Sequence, residues 1–324
     1  MKYISLFAGI GGFDLALNRL GHECVYANEW DKYAGIIYNK RFGSIANDKV
    51  GGTRTFTDID ARDIKTVKTE EIPDHDLLVG GFPCQAFSIA GNRRGFDDTR
   101  GTLFFEIARI LADKKPRLFL LENVKGLLSH DKQNTLHVIL KTLDELGYDL
   151  QWQVLNSKNF GVPQNRERVF IVGHLRGTSR PQVFPITADG AENNGVSGHI
   201  ANSLTTAQGG FGNSTYIANT LTRRYEGAQA VGTYIGDGKL YAQEDLMIRD
   251  GRDNRSCLRS GRTPELGVKG FSIRRLTPKE CERLQGFPDG WTEGVSDTQR
   301  YKTLGNAVSV PVIKAIIERM ILNQ

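Results

Sequence analysis

Cysteine is scarce, and its placement excludes two architectures. The chain has only Cys24, Cys84, Cys257 and Cys281. They are scattered and include no Cys-x-x-Cys pair, so neither a zinc site nor a disulfide framework is suggested. A reducing, cytoplasmic compartment fits best. Long apolar runs are also missing: none approaches the roughly 20 residues that span a bilayer, so no membrane partner is expected. The opening MKYISLFAGIGGF is a short apolar run broken by glycines, and it does not read as a signal peptide. Charge of one sign is not in great excess. The net charge of +5 permits a polyanionic partner without demanding one. What is present is ordinary for a globular protein: 324 residues, 39% hydrophobic and 24% charged. That length suits one large domain and a smaller one.

The first half alternates short apolar runs with helical spacing. Tyr3–Leu6, Cys24–Ala27, Leu77–Val79, Leu118–Leu121, Gln151–Leu155 and Val169–Val172 read as strands. Asp14–Leu20, Thr102–Lys114 and Thr135–Leu146 read as helices, two of them followed by glycine, at Gly21 and Gly147. Repeated βα alternation predicts an α/β fold, doubly wound, with a parallel sheet covered on both faces. From about Thr187 to Gly270 the chain is rich in Gly, Asn, Ser and Thr, as expected of short strands and long loops, with disorder as the alternative. Leu276-Thr-Pro-Lys-Glu280 predicts a helix start with Thr277 as N-cap, Pro278 at the first position, a Glu280 capping box, and a Leu276–Cys281 staple. Val310–Leu322 places Val312, Ile313, Ile316, Ile317 and Met320 on one helical face, which needs the first domain's core to lie against. The predicted division is 1–186 plus 302–324 for the large domain and 187–301 for the small one.

Phe7-Ala-Gly-Ile-Gly-Gly-Phe13 lies between a strand and a helix. Glycines there let the backbone turn sharply and approach a ligand, and the helix N-terminus favours a negative group. Asp14 stands where a dinucleotide-binding G-x-G-x-x-G would have its third glycine, so the spacing is incomplete. Glu29, after the second strand, is placed to bind ribose hydroxyls. Trp30 could stack on a ring or fill space, and Asp58, expected after the next strand, could accept from an adenine amine. The residues alone indicate a nucleoside-containing cofactor, with a tight ligand-free turn as the alternative.

Gly80-Gly-Phe-Pro-Cys-Gln-Ala-Phe-Ser88 follows a buried strand, which puts Cys84 at the sheet's carboxyl edge. Pro83 fixes the backbone before the thiol. The loop Gln85–Gly101 carries Arg93, Arg94 and Arg100 and could close on a phosphate-bearing substrate. A lone cysteine is ordinarily a small buried hydrophobe, but this loop is polar. Glu122 ends its strand on the same edge; a solvated or capping carboxylate is the alternative. Arg166 and Arg168 alternate with Glu167 and should project from one side, suiting an anionic substrate or surface ion pairs.

The ordered series FAGIGGF, NEWD, GGFPCQAFS, LLENV, QNRERV, RRLTPKECERLQGFPDGW and GNAVSVPV resembles the motifs of bacterial and phage cytosine-5 DNA methyltransferases, from residue 4 almost to the C-terminus. The resemblance implies a doubly wound, Rossmann-like methyltransferase domain joined to a target-recognition domain. It implies S-adenosylmethionine as cofactor, no metal, and double-stranded DNA as substrate. Phe13 would stack on the adenine, Glu29 would hold the ribose, and Trp30, Asp58 and Ile59 would contact the base. Phe7, Gly9, Gly11 and Gly12 would receive the amino-acid end, with Pro83, Asn306 and Val308 completing the cofactor residues. Cys84, Glu122, Arg166 and Arg168 would form the catalytic centre. Ser88, Arg93 and Arg100 would belong to a mobile loop on DNA. Further DNA contacts are expected from Arg223, Arg224 and Arg255, although a solvated basic face is the alternative for any one of them. Thr220-Leu221 is the expected pair near the target base, with Ser203-Leu204 the rival from the echo Ile200–Thr205 and Ile217–Thr222. A monomer is expected, with a cognate restriction endonuclease a possible companion. An RNA methyltransferase, a non-catalytic DNA-binding relative and a nicotinamide oxidoreductase are the rivals. An adenine or exocyclic-amine methyltransferase would carry a [DN]PP[YF] segment, and the chain has no Pro-Pro pair.

Overall fold

The computed structural model describes residues 1–43, 58–83, 103–179, 181–186, 197–200, 233–236, 239–242 and 274–322. Seven strands form one sheet in the order β2-β1-β3-β4-β6-β5-β7. They are β1 (Lys2–Leu6), β2 (Glu23–Asn28), β3 (Leu77–Gly81), β4 (Leu118–Val124), β5 (Tyr148–Asn156), β6 (Glu167–Leu175) and β7 (Ser197–Ile200). A second sheet joins β8 (Thr233–Gly236), β9 (Lys239–Ala242) and β10 (Arg274–Arg275) in the order β10-β8-β9.

Strands β1 to β4 pair in parallel, but β6 runs antiparallel to both β4 and β5, and β7 runs antiparallel to β5. The expectation of a wholly parallel sheet is therefore corrected to a mixed one. The reason is length: only residues 157–166 join β5 to β6. A parallel crossover needs about a dozen residues or more, usually with a helix. The α-helices among the described residues are α1 (Gly12–Arg19), α2 (Lys32–Phe42), α3 (Leu103–Lys114), α4 (Asn134–Glu145), α5 (Pro278–Leu284), α6 (Asp297–Asn306) and α7 (Val310–Leu322).

The strand alternation divides the core in two. Tyr3, Leu77, Val79, Leu118 and Leu120 face α1, α2 and α7, while Ile4, Leu78, Phe119 and Leu121 face α3 and α4. Adjacent residues of buried strands point to opposite faces, so a continuous apolar run serves both layers. Helix α7 buries Val312, Ile313, Ile316, Ile317 and Met320 almost completely, and it packs on α1 as its stripe requires. Thr277 caps α5 through a reciprocal box with Glu280, and Pro278 stands in its first turn. Phe287 and Trp291, which precede residue 302, also belong to the large core.

Two helices, α2 and α6, were not expected. Helix α2 starts at Asp31, whose carboxylate accepts from the Tyr33 and Ala34 amides at 2.9 and 3.1 Å. Among the described residues no helix is long and apolar enough to cross a membrane, and no group of three or more His, Cys, Asp or Glu could hold a metal ion.

Candidate active site

Strand order reverses at β1, which has β2 on one side and β3 on the other. Ligands of open α/β sheets bind at the carboxyl ends of strands beside such a reversal. Those expected cofactor residues that the structure describes lie around this reversal.

The turn after β1 is fixed by main-chain bonds: Ala8 N–H donates to Asn28 O at 3.0 Å and Gly11 N–H to Ala8 O at 2.9 Å. Phe7, Gly9 and Gly11 have φ of 54°, 58° and 82°. A side chain on Gly11 would be strained by that φ and would meet the Phe42 ring at 2.2 Å. Glu29 is hung across this turn. Its carboxylate accepts from Gly9 N–H at 2.9 Å and from Asp31 N–H at 2.7 Å. Burial raises the Glu29 carboxyl above the ordinary range, and these amides pull the other way. Trp30 beside it is exposed (69%), free to offer an aromatic face.

Ile59 is buried against α2, with its N–H donating to Asn39 Oδ1 at 2.9 Å. Asp58 beside it is exposed. The strand expected before Asp58 falls among residues that are not described, while Asp60, two positions after it, bridges to Asn28. Residues 44–57 lie outside the described residues.

Across the reversal, Glu122 stands near the end of β4. It is 8% exposed and paired with Arg168 Nε at 2.9 Å. Burial pushes its carboxyl up, against the opposing pull of Arg168 and Arg166. Glu167 instead bridges to Lys125 at 2.8 Å, so the arginines and Glu167 separate as the alternation requires. Burial, together with the neighbouring positive charge of Arg168, brings the Arg166 guanidinium down to about 9, so it stays protonated at neutral pH. Arg166 Nη2 donates to the carbonyls of Gly305 (2.9 Å) and Ala307 (2.7 Å), while its buried Nε has no partner among the described residues.

Gly81 separates the two halves of the site. A methyl group there would lie 3.1 Å from Glu122 Oε2 and 3.8 Å from the Phe13 ring. Phe13 is buried, and Val308 packs so closely on the turn that a methyl on Gly12 would meet it at 2.6 Å. Asn306 is exposed at the end of α6, and Pro83 is exposed after the buried Phe82. Cys84, Ser88, Arg93, Arg100, Thr220, Leu221, Arg223, Arg224 and Arg255 lie outside the described residues.

Several supporting groups escaped the sequence reading. Asn123 Nδ2 donates to Phe82 O at 2.9 Å and anchors the backbone two residues before Cys84. Lys302 reaches Asp31 at 2.9 Å and ties α6 to the N-cap of α2, next to Glu29. Burial acts against ionisation of Asp31, yet Lys302 and the helix amides hold it below the usual carboxylate range. Trp291 Nε1 donates to Ile10 O at 2.8 Å inside the glycine turn. Asn123, Asp31 and Trp291 lay inside the LLENV, NEWD and FPDGW motifs, whereas no motif marked Lys302.

Comparison with known proteins bears on the whole chain. The family model for C-5 cytosine-specific DNA methylase matches residues 1–322. The chain is 39% identical to the Type II methyltransferase M.SsoII of Shigella sonnei, covering 99% of this chain and 80% of that one. It is 37% identical to the Type II methyltransferase M.HhaI of Haemophilus parahaemolyticus, covering 98% and 93%. Two solved structures share the fold at low identity. A Spodoptera frugiperda DNMT2 aligns with TM-score 0.61 at 18% identity, covering 98% of this chain and 99% of that one. A putative DNA modification methyltransferase from an E. coli prophage aligns with TM-score 0.61 at 19% identity over 100% of both chains. The chain belongs to the C-5 cytosine-specific DNA methylase family and is a DNA cytosine-5-methyltransferase.

Proposed function

We propose that this enzyme methylates cytosine within one short DNA sequence, using S-adenosylmethionine and a transient covalent bond from Cys84. The observation that carries this reading is the meeting of two half-sites across Gly81: the buried Glu122–Arg168 pair on one side and the Phe13–Glu29 turn on the other.

The turn fits the cofactor. The carboxylate of Glu29 suits a ribose diol, the helix N-terminus suits a carboxylate, and the exposed Trp30, with Asp58 and Ile59, suits a purine. Bound S-adenosylmethionine supplies an activated methyl group. The Cys84 thiolate adds to carbon 6 of cytosine, which breaks the ring's aromaticity and makes carbon 5 nucleophilic. Glu122, whose carboxyl burial raises above its ordinary range, shares a proton with ring N3 as charge develops there. Arg166 holds the O2 side through its free Nε. After methylation, loss of the carbon 5 proton restores the double bond and expels the Cys84 thiolate. These atoms are inaccessible in a stacked duplex, so the base is flipped out.

DNA binding falls to Ser88, Arg93 and Arg100 in the thiol loop and to Thr220, Leu221, Arg223, Arg224 and Arg255 in the target-recognition domain. We redraw the expected 187–301 target-recognition domain to residues 187–275, with the catalytic domain resuming at Leu276. This placement is supported by Phe287 and Trp291 in the large core. We assign the enzyme to the cytoplasm as a monomer. Its Type II relatives favour a restriction endonuclease acting at the same site.

The test is incubation with unmethylated genomic DNA and S-adenosylmethionine, followed by bisulfite sequencing. Protected cytosines in one recurring context support the proposal. Absence of protection by protein that binds the cofactor would overturn it and direct attention to RNA.

A further inference from the structure

We infer that Ser157 and Ser309 are positioning residues whose buried hydroxyl pair holds Arg166 in register with the target base. The inference rests on the reading above, in which Arg166 touches that base. The two hydroxyls are 2.6 Å apart although 152 positions separate them in the chain, and the residues are 3% and 4% exposed.

The pair closes a ring of contacts that begins and ends on Arg166. The Arg166 side chain donates to the carbonyls of Gly305 and Ala307. The chain continues through Val308 to Ser309, which meets Ser157. Ser157 N–H then donates to the Arg166 carbonyl at 3.0 Å. Ser157 Oγ also lies 3.4 Å from that carbonyl, and either hydroxyl of the pair can be the donor.

The ring has a consequence for Arg166. Its Nη2 is committed to the carbonyls, and the buried Nε is a donor without a partner among the described residues. The direction of Nε therefore depends on where the 305–307 carbonyls sit. Gln285 also braces this segment, its side-chain amide donating to Leu304 O and its main-chain carbonyl accepting from Val310 N–H, while the serine pair ties the segment to the Arg166 arm. Val308, on the same segment, packs on Gly12, so the serine pair also relates the cofactor turn to the base contact.

The test is steady-state and single-turnover methyl transfer on duplex DNA carrying the bisulfite-mapped sequence, with S-adenosylmethionine, for Ser157→Ala, Ser309→Ala and the double variant, alongside thermal melts. We expect kcat to fall about tenfold in each single variant, with KM for both substrates within about threefold. The double variant should be no slower than the worse single, because each removes the same contact. Unchanged kcat in the serine variants would overturn the inference, as would losses that track only the melting temperature. If the unaltered protein itself transfers no methyl group, the functional reading fails first and separately.

Discussion

Replacing Arg168 with methionine keeps an apolar stem and removes the guanidinium facing Glu122. The pair is 2.9 Å apart, with the side chains 21% and 10% exposed. Removing one partner of a buried pair costs on the order of 3–5 kcal/mol, and the partial exposure of Arg168 favours the lower end, about 3 kcal/mol. The cost depends on pH. Burial already raises the Glu122 carboxyl above its ordinary 4.5, and loss of Arg168 raises it further. Below the wild-type folded value both proteins hold the proton, so only packing and hydrogen bonding differ. Above it the variant still binds a proton on folding that the wild type does not. Its deficit then grows by about 1.4 kcal/mol per pH unit, until the variant's own carboxyl ionises. Urea unfolding at pH 5, 6.5 and 8 reads this directly: the variant should lose little at pH 5 and most at pH 8. A deficit constant across that range would refute the assignment of Glu122 as a carboxyl held by this partner.

Glu29→Ala removes the carboxylate on the Gly9 and Asp31 amides and should weaken S-adenosylmethionine about 100-fold, since charged hydrogen bonds contribute about 1.5–3 kcal/mol. Calorimetric titration checks it, and unchanged affinity would remove Glu29 from the cofactor site. Gly81→Val adds bulk between Glu122 Oε2 and Phe13 and should lower kcat at least tenfold while the protein still melts cooperatively. A fully active variant would mean that the two half-sites do not meet there. Ile316→Ala opens the α1–α7 contact, where Ile316 is fully buried, and should cost about 2–5 kcal/mol in urea unfolding. A loss under 1 kcal/mol would contradict the packing of the last helix.

Much of this was legible because the signals were local. The apolar runs of β1, β3 and β4, the capping box at Thr277 and the stripe of the last helix each announced themselves within a few residues. Helix α2 was not legible in the same way. Its buried Ala34, Ile37, Tyr38 and Phe42 keep helical spacing, but the exposed apolar Tyr33 and Ile36 blur the stripe, and Asp31 as N-cap was its one clear signal. Strand direction was hidden too, because an apolar run has the same pattern whichever way it runs; only the short 157–166 connection distinguishes β6. At the site, Glu29, Glu122, Arg166 and Arg168 were placed by motif and position. What the motifs could not convey is contact between distant segments. Arg166 with the 305–307 carbonyls, Trp291 with Ile10 and Lys302 with Asp31 join residues more than 130 positions apart.

The covalent bond from Cys84 to cytosine is the central claim, and one trapping experiment reaches it. A duplex carries 5-fluorocytosine at the bisulfite-mapped position and is incubated with the enzyme and S-adenosylmethionine. Fluorine cannot leave as a cation, so the final elimination is blocked and the enzyme should remain bound to the DNA. Proteolysis and mass spectrometry should then place the linkage on Cys84. A complex that dissociates on denaturation, or a linkage to any other residue, would contradict the account.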